Sequence, residues 1–98
     1  MRVVWTDRAK ARLRQIHGYI AKDQPLNADR VVDRLTQRAG QLVEHPLSGR
    51  IVEEYRRDGL RELIEPPWRI VYLILPERID IITVRDTRRI LPRHLDEL

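Results

Sequence analysis

The sequence predicts an α+β domain: a short N-terminal strand, then a helical hairpin packed on one face of a twisted, mainly antiparallel β-sheet. Three observations predict it. Apolar residues recur at helical spacing in the first half of the chain and at period two in the second. Proline and glycine fall between those segments. The links within each half are too short for anything but antiparallel neighbours. At 98 residues the chain has room for one core, so residues 1–98 are read as a single domain.

Val3–Trp5 is a short β-like run. Thr6 is a good N-cap, and Asp7 sits favourably near the positive end of the following helix dipole. Ala9, Leu13, Ile16 and Ile20 then form one helical stripe, which the stretch KDQP breaks. Pro25 opens a second helix, with a stripe of Ala28, Val31, Val32, Leu35, Ala39 and Leu42 that Pro46 ends. Beyond HPLSGR the period changes to two. Strands are expected at Ile51–Tyr55, Leu60–Ile64, Trp68–Leu75 and Ile79–Val84, with turns at Arg57–Gly59 and Pro76–Arg78. The remainder, RDTRRILPRHLDEL, reads as an arginine-rich tail with one short helical turn.

Composition narrows the function classes. The formal net charge is +4, and only Lys10 and Lys22 among the basic residues are not arginine. The basic excess lies in the first half, with 10 Lys/Arg against 5 Asp/Glu in residues 1–50. Such a balance suits nucleic acid or an acidic protein partner. Without cysteine there is no disulfide, thiol catalysis or cysteine-bound zinc. His17, His45 and His94 stand far apart, so no metal site is expected, and no phosphate-binding or nucleophile-elbow motif implies a cofactor. No segment reaches membrane-spanning length, and the protein is expected to be soluble and cytoplasmic.

One residue breaks the pattern. In PPWRIVYLILP the central strand is apolar throughout except for Arg69. A buried guanidinium needs a partner. A hairpin turning at Pro76–Arg78 brings Arg69 near Val84–Asp86, so Arg85 and Asp86 should lie close, followed by Arg88, Arg89 and Arg93. Three readings follow: a structural ion pair of Arg69 with Asp86 or Glu65, a phosphate-handling cluster, or a protein-binding surface. Glu53 and Glu54 are expected on opposite faces of a strand, which prevents them acting together.

Trp5, Ala9, Leu13, Ile16, Tyr19 and Ile20, then HPLSGR, REL, WRIVY and a closing V.D.RR.LP together resemble the RelE/ParE superfamily of type II toxin–antitoxin toxins, closer to the ParE branch. The resemblance runs from Val4 to Pro92. It implies the fold derived above, a ParD-like antitoxin as partner, and DNA gyrase as the target of a non-enzymatic inhibitor. DNA would be contacted only through the antitoxin complex. The alternative it implies is a RelE-like, ribosome-dependent mRNA endonuclease using Arg69, Arg85 and His94. Against this, LREL offers Arg61 without a lysine pair, and the tail has no tyrosine. On the ParE reading Arg69 is a structural residue, and Arg61, Arg85, Arg88, Arg89 and Arg93 are the candidates for partner binding.

Overall fold

The computed structural model describes the whole chain, residues 1–98. The elements are β1 (Arg2–Trp5), α1 (Asp7–Ala21), α2 (Pro25–Gly40), a 3-10 turn at Gln41–Val43, β2 (Arg50–Ile51), β3 (Leu60–Glu65), β4 (Trp68–Ile74), β5 (Arg78–Asp86) and a last 3-10 turn at Leu95–Glu97. The sheet order is β1-β5-β4-β3-β2, with β1 parallel to β5 and every other pairing antiparallel. No helix is long and apolar enough to cross a membrane.

The helical hairpin forms as its stripes dictate. Thr6 caps α1 by accepting the Ala9 N–H at 3.2 Å, and its hydroxyl donates to the Ile81 carbonyl at 2.8 Å, tying the helix start to β5. Ala9 and Ile16 from α1, and Val31, Leu35 and Ala39 from α2, pack on Leu63, Ile70, Tyr72, Ile79, Ile81 and Val84 of the sheet. Full burial of a Leu or Ile contributes about 1.5–3 kcal/mol, so this face supplies most of the hydrophobic stabilisation.

The opposite face has no helix. It is covered by the turn after β2 and by the C-terminal tail, which folds back so that Leu91 and Leu98 join Val52, Leu60 and Val71 in a smaller cluster. Leu95 and Tyr55 pack at its margin.

Two sequence expectations are corrected here. The strand expected at Ile51–Tyr55 stops at Ile51. The Tyr55 and Arg56 N–H groups both bond to the Val52 carbonyl, so the chain curls into a turn instead of extending the ladder. Glu53 and Glu54 are therefore turn residues and do not alternate across a strand. In β5, Thr83 pairs with Val71 and Ile81 with Tyr72, which leaves Ile82 as an extra residue in a bulge. Because side chains alternate strictly along a strand, one inserted residue moves everything after it to the other face. Val84 thereby joins the helix-covered core, and Arg85 turns to the tail-covered face.

Candidate functional site

Arg69 lies opposite Ile64 on one side and Arg85 on the other, on the face away from the helices. Glu62 faces Val71, one pleat along the same surface. Its carboxylate therefore reaches Arg69 on the diagonal, and Arg69 Nε donates to Glu62 Oε1 at 2.6 Å. The turn after β2 delivers Glu54 from above. Its two carboxylate oxygens accept from Arg69 Nη1 and Nη2, each at 2.9 Å, a bidentate pair. A further Nη1 proton goes to the Arg89 carbonyl at 3.3 Å. Four of the five guanidinium donors are thus spent inside the fold.

The carboxylates are shared outward in turn. Glu62 also accepts from Arg50 Nε at 3.0 Å, and Glu54 from the Leu91 N–H at 3.0 Å. Only 8% of the Arg69 side chain and 2% of Glu62 remain exposed. Hydrogen bonding by Arg69 outweighs the effect of burial at Glu54 and holds its pKa down at about 2. For Arg69 itself burial acts to lower the pKa, and the two carboxylates more than reverse that, so its charge is held firmly.

This corrects the expected ion pair. Arg69 is paired, but with Glu54 and Glu62, and neither Glu65 nor Asp86 is its partner. Glu65 points to the helix side, 3.5 Å from Arg38 Nε. Asp86 accepts from Arg88 instead, from the backbone N–H at 2.8 Å, Nε at 3.0 Å and Nη2 at 2.7 Å, which holds its pKa at about 2. Glu54 was missed because its sequence neighbourhood reads as a strand surface; the turn that aims it is not visible in VEEYRRDG.

The other predicted residues separate. Arg61 braces the scaffold: it donates from Nη1 to the Gly49 carbonyl at 3.0 Å and from Nη2 to Asp58 Oδ1 at 3.1 Å. It is therefore occupied within the chain. Beside it, Gly49 lies so close to Tyr72 that a Cβ there would meet the phenol oxygen at 2.6 Å. Tyr72 accepts the Gly49 N–H at 3.0 Å and donates to the Pro46 carbonyl at 2.8 Å, which explains the glycine of HPLSGR. His94 is exposed at the start of the last 3-10 turn, with no side-chain hydrogen bond. Arg93 is likewise exposed.

Arg85 does come next to Arg69 in register, but no Asp or Glu side chain pairs with it. Its Nη2 donates at 3.2 Å to the oxygen of Leu98, the last residue of the sequence, and its buried Nε has no partner. Chemically, the face holds a neutralised, buried arginine beside a second cation that is tied to the end of the tail. The Tyr55 hydroxyl is committed to the Pro92 carbonyl at 2.5 Å, and burial raises its pKa. No three His, Asp or Glu side chains converge in a geometry that could hold a metal ion.

Comparison with known proteins gives consistent matches. The family model described as the ParE toxin of the type II toxin–antitoxin system parDE matches residues 3–91. The chain is 38% identical over 89 residues to toxin RelE2 of Caulobacter vibrioides, covering 90% of this chain and 97% of that protein. It is 38% identical over 96 residues to Y4kP of Sinorhizobium fredii, covering 96% of each. Among solved structures, a chain of the chromosomal ParDE system from P. aeruginosa superposes with a TM-score of 0.75 at 24% identity, over 88% of this chain and 95% of that one. That last likeness is one of fold.

Proposed function

The chain belongs to the ParE toxin family of type II toxin–antitoxin systems, and from that premise we propose that it arrests growth by inhibiting DNA gyrase without catalysing a reaction, silenced by a ParD-like antitoxin. The observation that carries the reading is the state of Arg69. A nuclease would need this cation free to meet a phosphate and a general acid or base close by. Here the guanidinium is 8% exposed and shared between Glu54 and Glu62. A phosphodiester would have to displace two carboxylates to reach it. The basic first half suits an acidic antitoxin, since complementary charge speeds encounter.

The name of the Caulobacter vibrioides relative, RelE2, favours the other branch, with mRNA as substrate. Two assays separate the branches. Purified gyrase should lose supercoiling activity, or accumulate cleaved DNA, as the toxin is added. Unimpaired supercoiling at saturating toxin overturns the gyrase assignment. Codon-specific transcript cleavage in a translating extract would replace it with the nuclease, provided Arg69→Lys abolishes cleavage while circular dichroism shows an intact fold.

A further inference from the structure

Alongside the neutralised Arg69 cluster lies a second group of arginines in which cations outnumber carboxylate side chains. They line an open groove of about 450 Å³ between α1 and the point where β5 leaves the sheet. Arg12, Gln15 and Tyr19 form the helix wall; Arg88 and Arg89 form the tail wall; Trp68 and Arg85 lie between them. The single carboxylate side chain on the groove is Asp86, and its hydrogen bonds go to Arg88. Arg12 bonds only to the neutral Gln15, at 3.1 Å, and Arg89 makes no ion pair through its side chain. Burial, and then the fields of Arg12, Arg89 and Arg8, lower the Arg85 pKa. Asp86 lies near enough for the charge of Arg89 to help lower its pKa, but no Asp or Glu side chain forms an ion pair with Arg12, Arg85 or Arg89. Like charges gathered with so little acidic compensation raise the energy of the free protein, and a bound polyanion relieves it.

We propose that this groove is a binding site for a phosphodiester backbone, with Arg12, Arg85 and Arg89 on the phosphates and Tyr19 beneath a base or sugar. The chemistry of the walls selects this ligand over an acidic peptide. A protein partner anchors through several apolar side chains in a desolvated pocket; here Ile16 and Val84 are only 8% and 2% exposed, which leaves Tyr19 and the half-buried Trp68 as the accessible rings. The Tyr19 side of the groove is instead open, with that residue 75% exposed. Cations on facing walls with an accessible aromatic ring are the pattern of single-strand and backbone recognition. The site leaves out Arg69 but includes Arg85, which the nuclease reading would also use.

The test is fluorescence anisotropy with the full chain and three labelled 20-mers of one sequence: duplex DNA, single-stranded DNA and single-stranded RNA. With three phosphates engaged, log affinity should fall against log salt with a slope of about −2 to −3 for whichever nucleic acid binds. Arg12→Gln with Arg89→Gln should weaken binding about tenfold or more and reduce that slope by about 2, one per lost contact. The charge-matched control, Arg30→Gln with Arg34→Gln on the exposed side of α2, should stay within about twofold. The proposal is overturned if the control weakens binding as much as the groove pair, for then net charge alone is responsible. It is equally overturned if none of the three nucleic acids binds at 50 mM salt, or if polyglutamate binds the groove and they do not.

Discussion

The face of the sheet under the helices and the face under the tail bury their residues by different means. Beneath the helices the buried residues are apolar or aromatic, and stability comes from area removed from water. Beneath the tail a comparable depth is reached with Arg69, Glu62 and Thr83 among the buried residues. There the apolar cluster is smaller, and order depends also on complete pairing of Arg69 and Glu62. The Thr83 hydroxyl, buried without a partner, marks where that pairing runs out. The lesson is that this family fold carries one general-purpose core and one face whose charges must match individually. A cation on the second face with no Asp or Glu against it, Arg85, is therefore informative in a way that an exposed arginine elsewhere is not.

The sharpest way to break the comparison is to remove one member of the pair. Arg69→Ala leaves Glu62 charged and buried, and should cost about 3–5 kcal/mol in urea unfolding. Replacing the set together, as Arg69→Met, Glu54→Gln and Glu62→Leu, should recover most of that loss, because a buried ion pair and an apolar filling of similar volume are close in energy. Failure of the combined variant to recover would show that the cluster does more than neutralise itself. On the helix side, Leu35→Ala opens a cavity at a fully buried position and should cost about 2–5 kcal/mol, with no neighbouring substitution of charge able to rescue it.

Gly49→Ala tests the seam between the two halves. The added Cβ would collide with Glu62 backbone and the Tyr72 ring, and overpacking of this kind costs about 1–3 kcal/mol. The smallest effect lies in acid. Glu54 has its pKa depressed in the folded state, from 4.5 to about 2, so its contribution is complete above pH 4.5 and is lost as the pH falls toward 2. Stability of the wild-type chain should decline across that window, and Glu54→Gln should flatten the decline. Asp86→Asn, which alters a pair exposed on its arginine side, should leave stability at neutral pH almost unchanged. A larger change there would mean that the tail is held by its surface charges more than by Leu91 and Leu98.

What the sequence determined by itself is the part governed by local periodicity. The Thr6 cap, both helical stripes, the centres of β3, β4 and β5, and the need for Arg69 to be neutralised all follow from residues within a turn or two of each other. The tertiary structure decided which groups meet. Glu54 reaches Arg69 across 15 residues because β2 curls after Ile51, and Arg85 shares its face because Ile82 is inserted as a bulge. Both outcomes depend on how strands compete for pairing and on where the tail lies down. Such terms are long-range and of similar size for several alternatives, so no local pattern distinguishes them.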